Sequence, residues 1–246
     1  ASYTSAAAPV FNDKSVNGAD VTASFCPTPN KSNWTYKDIA DDKWEQNPNN
    51  RTAFLSPERG AGLCIVSDNG IETVPVDVIF PVLHGENGED GSIQGLFQLS
   101  GIPYVGCHVC AAAASMDKSV TKLIAATTGV RQANWLTLRR ADFQADGAAM
   151  CRQIMENIAF PVFIKPCNTG SSVGVSKVMD EASLMPALEA AFQYDKAILA
   201  EEFINGREIE VVVLGNDRPE AAVAGEIDAG ADFYDYDAKY VTTTSQ

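Results

Sequence analysis

Apolar and polar positions along this chain fall into two different rhythms. From Val74 to Leu83 the run Val-Pro-Val-Asp-Val-Ile-Phe-Pro-Val-Leu is β-branched, nearly continuous in apolar residues, and ends in His84-Gly85. Such a run predicts a buried parallel strand leading into a loop. A helix follows: Ser92 is its candidate cap, Ile93, Leu96, Phe97 and Leu99 form an apolar face, and Gly101 stops it. A short strand at Ile102 to Val105 and a helix from Ser115 to about Thr128, stopped by Gly129, continue the alternation. Strand-helix-strand order predicts a parallel α/β sheet.

Further along, the rhythm changes. Phe160 to Lys165 predicts a strand, Asn168 to Gly174 a Gly/Ser turn, and Val175 to Val178 a second strand. A helix from Asp180 to Tyr194 and strands at Ala197 to Glu202 and Glu208 to Leu214 come next. Strands joined by a turn pair antiparallel, so this part predicts a separate α+β unit, with the boundary near Met116 to Lys118.

Composition narrows the class. With 246 residues and 46% hydrophobic content the chain buries a sizeable core, in one or two domains at roughly 100 to 200 residues each. No apolar run approaches the ~20 residues of a membrane helix, so a soluble protein without membrane contact is expected. Ala1 to Pro9 lacks the basic and apolar regions of a signal peptide, and the absent initiator Met suggests processing or a piece of something longer. The six cysteines are scattered, mostly beside apolar or small residues, as reduced core thiols in a reducing compartment are. Cys107-His108-Val109-Cys110 has the spacing of a redox or metal pair, but no second Cys/His pair stands at zinc-ligand spacing. The net charge of -14 opposes nucleic-acid binding. It leaves room for one nucleotide, which needs only two or three lysines and some backbone amides. Asp41 to Asn50 reads as a polar surface loop, and the glycosylation patterns at Asn30, Asn33 and Asn50 are short enough to arise by chance.

Four stretches carry candidate chemistry. His84-Gly85-Glu86-Asn87-Gly88-Glu89-Asp90-Gly91 lies between a strand end and a helix N-terminus, where amides suit an anion such as a carboxylate; a tight surface turn with capping acids fits it equally. In Phe163-Ile164-Lys165-Pro166 a lysine ends an apolar strand, which calls for an anionic partner or for a side chain snorkelling to water. Asn168-Thr169-Gly170-Ser171-Ser172-Val173-Gly174 offers several N–H and O–H donors to one point, as phosphate oxygens require. It has neither the order of a Walker A loop nor the spacing of a dinucleotide fold. Finally, Phe233 to Tyr240 holds three tyrosines, two aspartates and Lys239, which suits a lid over a charged intermediate or a plain exposed loop.

In order and spacing, these motifs resemble the D-alanine-D-alanine ligase family of the ATP-grasp superfamily: Phe80 to Gly85, Gly88 to Leu96, Ile102 to Gly106, Met116-Asp117-Lys118, Lys165-Pro166, Gly170 to Gly174 and Tyr234 to Tyr240, with Asn47 to Arg51 and Phe54 to Pro57 in support. The resemblance implies an N-terminal parallel-sheet domain over 1–117, a central ATP-grasp subdomain over 118–208, and over 209–246 the start of a C-terminal catalytic subdomain with the lid. It implies ATP-dependent joining of two D-alanines through an acyl phosphate, in the cytoplasm, for peptidoglycan synthesis. Lys118 and Lys165 would contact ATP phosphates, Ser172 would cover them, Glu201, Glu202, Phe203 and Ile204 would read adenine, and Glu208 would hold the ribose. Ser171 and Tyr240 would orient the lid over the first D-alanine, Lys239 would reach the transferred phosphoryl group, and His84 and Glu89 would stand at the amino-acid subsites.

Against the family pattern, a first strand turn carrying an acid for the substrate ammonium would precede Ala1. Ligands for two magnesium ions would follow Gln246, since Glu201, Glu202, Glu208 and Glu210 alternate between strand faces and make poor substitutes. The resemblance therefore implies a homodimer when complete, and little turnover by this stretch alone. D-alanine-D-serine ligation, another ATP-grasp carboxylate-amine ligation and a non-catalytic nucleotide-binding remnant stand as alternatives.

Overall fold

The computed structural model describes residues 10–11, 23–25, 51–170 and 172–227. The polar loop of 41–50, the glycosylation patterns at Asn30 and Asn33, the asparagine of the third at Asn50, Ser171 and the lid with Lys239 and Tyr240 lie outside them. The chain divides into two compact units, Ala1–Ala113 and Ala114–Gln246.

The first unit is built on a five-stranded sheet in sequence order: β1 (Val10–Phe11), β2 (Ala23–Phe25), β3 (Arg51–Leu55), β4 (Leu63–Ser67) and β5 (Gly70–Val74). Every pairing in it is antiparallel. The two-residue turn Asp68-Asn69 joins β4 to β5, closed by Ser67 Oγ donating to the Gly70 carbonyl at 3.0 Å. Ala53, Leu63 and Ile65 are buried, with Val74 and Val76 packed against them.

This overturns the expected parallel sheet. The run from Val74 to Leu83 forms no long strand, and an isolated parallel bridge between Ile79 and Tyr104 is what the described residues keep of the predicted pairing. Ile79 N donates to the Pro103 carbonyl and Val105 N to the Ile79 carbonyl, each at 2.9 Å. Pro75 and Pro81 have no N–H to give a ladder, and Val78, Phe80 and Val82 are exposed. Helix α1 (Ser92–Ser100) lies where its apolar spacing puts it, burying Ile93 and Phe97. Its cap is Gly91 in the left-handed conformation rather than Ser92, which is the first helical residue.

The predicted helix of 115–128 is divided between the end of α2 (Val109–Met116), most of which belongs to the first unit, and α3 (Lys118–Thr127), which opens the second. Asp117 ends one and caps the other, accepting from Ser119 N at 2.9 Å and Val120 N at 3.2 Å. Then come β6 (Trp135–Arg139), α4 (Arg140–Asn157), β7 (Val162–Pro166), β8 (Ser176–Val178), α5 (Glu181–Tyr194) and β9 (Ala197–Glu202). Helix α4 bends at Asp146, whose carboxylate accepts from Ala149 N at 2.8 Å and starts the second segment. The strands form one antiparallel sheet in the order β6-β9-β7-β8. The predicted strand from Glu208 to Leu214 is two short ones, β10 (Glu208–Glu210) and β11 (Val213–Leu214), paired respectively with β13 (Gly225–Ile227) and β12 (Glu220–Ala221).

Strand alternation gives the four-stranded sheet two unlike faces. Leu138, Val162, Ile164, Val178, Ile198 and Ala200 point to one side and pack with Ile154, Leu184, Leu188 and Phe192 of α4 and α5 into the main core. Burying those helix side chains contributes about 1.5–3 kcal/mol each. The opposite positions, Trp135, Phe163, Lys165, Leu199 and Glu201, share the other face, because Trp135 and Phe163 both pair with Glu201 and Lys165 pairs with Leu199.

Candidate nucleotide site on the second unit

The polar face of the sheet carries an ion cluster. Glu201 is on the central strand β9, and its carboxylate is gripped from two sides: Lys165 of β7 reaches Oε2 and Lys122 of α3 reaches Oε1. The Glu201 side chain is only 12% exposed, so it depends on these partners. Burial pushes its carboxyl up, but the ammonium groups of Lys165 and Lys122 outweigh that and hold it below the ordinary carboxylate range. Aromatic rings flank the cations: Lys165 Nζ is 5.0 Å from the centroid of Phe163, Lys122 Nζ 5.4 Å from that of Trp135, and Lys177 Nζ 4.0 Å from that of Phe203.

Beside this cluster stands the Gly/Ser turn. Lys118, the first residue of α3, sends Nζ to the Thr169 carbonyl at 2.6 Å and the Cys167 carbonyl at 3.4 Å. Burial, with the Lys165 ammonium adding to it, holds the Lys118 amine below the usual lysine range. The turn is folded by its own contacts. Val173 N donates to the Gly170 carbonyl at 3.0 Å, Val175 N to the Ser172 carbonyl at 3.2 Å, and Thr169 Oγ1 to the Val173 carbonyl at 2.9 Å. Ser172 has φ 60 and Gly174 φ 71, the left-handed conformation that costs any residue but glycine. At the base, the Asp195 carboxylate accepts from Asn168 N at 2.8 Å and Nδ2 at 3.0 Å.

Lys118, Lys165 and Glu201 thus gather on one side of the sheet, with Ser172 in the adjoining turn. Glu202 and Phe203 continue the strand, but their amides are engaged: Glu202 N donates to the Asn134 carbonyl at 2.9 Å and Phe203 N to the Pro161 carbonyl at 3.3 Å. Ile204 is exposed. Glu208 is exposed on β10 and paired with Ile227, outside the four-stranded sheet. His84 and Glu89 belong to the first unit, where both are exposed.

In that first-unit loop the acids serve as caps. Glu89 Oε2 accepts from Gly85 N at 2.6 Å, and Asp90 accepts from Asn87 N and Ser92 N at 2.9 Å each. Partial burial raises the Asp90 carboxyl, but the amides of Asn87 and Ser92 outweigh it and bring it below its ordinary range. Of the two readings open for this loop, the structure presents the turn with capping acids.

Lys122 and Trp135 join the site without a motif of their own to announce them. The available signal is helical spacing: Lys118 and Lys122 are one turn apart and so on one face of α3. Cys107 and Cys110 are exposed, and among the described residues no group of three or more His, Cys, Asp or Glu stands ready to hold a metal ion. No helix of the described residues is long and apolar enough to cross a membrane.

The antiparallel sheet of the second unit, packed on one face by α4 and α5, belongs to a mixed α/β ATP-grasp ligase fold. The D-ala D-ala ligase N-terminus model matches residues 2–107 and the D-ala D-ala ligase C-terminus model residues 124–246, and the chain belongs to the D-alanine-D-alanine ligase family. A D-alanine-D-alanine ligase of Acetivibrio thermocellus is 54% identical over 171 residues, covering 70% of this chain and 46% of that protein. One from Heliobacterium modesticaldum is 42% identical over 217 residues, covering 87% and 59%. Among solved structures, the VanG D-Ala:D-Ser ligase of Enterococcus faecalis is similar with a TM-score of 0.72 at 35% identity, over 87% of this chain and 61% of that one. The chain spans about half the length of the curated relatives it matches.

Proposed function

We propose that the protein to which this chain belongs joins two D-alanines into D-alanyl-D-alanine, using ATP to activate the first carboxylate as an acyl phosphate that the second amine attacks. The single observation that carries this reading is the convergence of Lys118 and Lys165 beside the 168–174 turn, on a sheet face that also holds Glu201. Cations and turn donors of this kind suit a triphosphate whose charge grows on the transferred phosphoryl oxygens.

In this reading Lys118 and Lys165 bind phosphate oxygens, Ser172 covers them, and Glu201 to Ile204 line the adenine, with Glu208 at the ribose. Ser171, Lys239 and Tyr240 act as the lid, and His84 and Glu89 stand at the amino-acid subsites. The work divides among residues 1–117, 118–208 and 209–246. Magnesium is expected of such chemistry, but the described residues offer no ligand set that fits it, and no step here runs through it. Relatives named D-alanine-D-alanine ligase at 42–54% identity favour D-alanine over D-serine as acceptor.

The test is phosphate release. The full-length gene product, with ATP, magnesium and D-alanine, should release phosphate in a D-alanine-dependent manner, and Lys165→Ala should abolish it. Absence of D-alanine-dependent release from the wild-type protein would sink the proposal.

A further inference from the structure

We infer that Lys122 is a positioning residue for nucleotide binding: it is the counter-ion that keeps Glu201 ionised and in place when Lys165 turns from that carboxylate to the phosphates. The inference rests on the proposed ATP site. Its starting point is a competition within that site, since Glu201 already holds the Lys165 ammonium and a triphosphate must share or take over its three donors.

The geometry resolves the competition. Lys165 and Lys122 hold different oxygens of the Glu201 carboxylate, so one can leave without the other. Glu201 is too enclosed to remain charged alone, because a buried carboxylate without a partner neutralises or moves. Lys122 is suited to stay. Its side chain is 15% exposed, its ammonium stands over the ring of Trp135, and its carbonyl accepts from Gln132 Nε2 at 3.1 Å. Trp135 is itself the cross-strand partner of Glu201, so ring and carboxylate are fixed by one strand pairing, and α3 brings the cation to both. Lys165 is the freer of the two, at 25% exposure on the strand that runs to the phosphate turn.

Removing Lys122 leaves Lys165 as the sole counter-ion of Glu201 among the described residues. Nucleotide must then break that pair outright, and affinity falls while the chemical step keeps its groups. ATP affinity and steady-state kinetics of the full-length protein test this with Lys122→Met, Lys122→Arg, Lys165→Ala and Lys122→Met/Glu201→Gln. Lys122→Met should weaken ATP binding and raise the KM for ATP on the order of tenfold, with kcat nearly unchanged. Lys122→Arg should restore most of the loss. Adding Glu201→Gln should tighten ATP binding relative to Lys122→Met alone, because it releases Lys165; a merely structural role for Lys122 predicts additive damage. If Lys122→Met does not fold, Lys122→Gln takes its place with the same expectations. Wild-type affinity in the Lys122 variant, or no relief from Glu201→Gln, overturns the inference. Should Lys165→Ala also bind ATP normally, the ATP-site reading falls as well; should only Lys165→Ala weaken binding, the ATP site stands and Lys122 has no part in it.

Discussion

Gly174 closes the Gly/Ser turn, and replacing it with alanine tests how rigidly that turn is built. Its φ is 71, and a Cβ there would stand 2.6 Å from Tyr194 Cδ2 and 2.8 Å from Pro166 Cγ. Two costs follow. The left-handed conformation costs an alanine about 1–2 kcal/mol, and forcing a methyl into packed neighbours costs about 1–3 kcal/mol. Lower entropy of the unfolded chain returns about 0.4–1 kcal/mol, so the net loss is about 1–5 kcal/mol, centred on ~3 kcal/mol. The two neighbours differ in how far they can yield. Tyr194 is half exposed and can swing outward, whereas Pro166 is fully buried in β7 and cannot. Gly129 supplies the control, with φ 76 and no heavy atom within 4 Å of where a methyl would stand. Its alanine variant carries the backbone cost alone. In urea denaturation followed by circular dichroism, at a slope of ~1–3 kcal/mol per molar, Gly174→Ala should lower the midpoint by about 1–2 M, and Gly129→Ala by about half a molar or less. Combining Gly174→Ala with Tyr194→Ala should recover only part of the difference. Equal midpoints for the two glycine variants would refute the packing argument, and so would full recovery on removing Tyr194.

Two further outcomes follow from the same sheet face. The Glu201 carboxyl is held below its ordinary value of 4.5, so the stability it contributes is fully present above that value and lost as pH falls through the lower folded one. Denaturation midpoints of wild type and Glu201→Gln, measured between pH 7 and pH 3, should therefore converge toward the acid end; a gap that does not narrow would contradict the ion cluster. Burial, with Asp117 and Asp195 adding to it, pushes the Cys167 thiol up to about 11, and the side chain is fully enclosed. Maleimide at pH 7.5 with peptide mass mapping should modify the exposed Cys107 and Cys110 quickly and Cys167 only after unfolding; rapid labelling of Cys167 in the folded protein would show the turn's base to be open.

Much of the second unit is legible in the sequence because its signals are local. The β7-turn-β8 hairpin follows from an apolar run, a Gly/Ser cluster and a second run, and Ala197 to Glu202 is a strand by the same evidence. Lys165 called for an anion, and the chain supplies one. Which anion was not legible: Glu201 is 36 residues away, and only the register of β7 against β9 brings the two together. Lys122 is less legible still, because its reach to Glu201 depends on where α3 lies on the sheet. The first unit misled for a related reason. A continuous apolar run carries the parallel-strand signal whether or not partners exist, and here Pro75 and Pro81 withhold donors while Val78, Phe80 and Val82 stay exposed. The antiparallel strands β3, β4 and β5 mix buried and exposed positions unevenly, so no period of two announced them.

Both candidate anion sites share one device: the protein's own carboxylates already occupy the donors. Glu89 and Asp90 sit on loop amides ahead of α1, and Glu201 sits between Lys165 and Lys122. Such self-pairing satisfies groups that would otherwise be costly to leave unpartnered. It also sets a threshold, because an incoming anion must displace a carboxylate carrying a single negative charge. On the proposed ATP site, a triphosphate, with more charge and more acceptor oxygens, would draw Lys165 away from it; chloride or acetate would have no such advantage. On that reading the arrangement would discriminate by charge density before any shape is read, and it would do so only if the displaced carboxylate keeps another partner. At Glu201 that partner is Lys122, which makes the exchange local to one pair of strands and one helix turn.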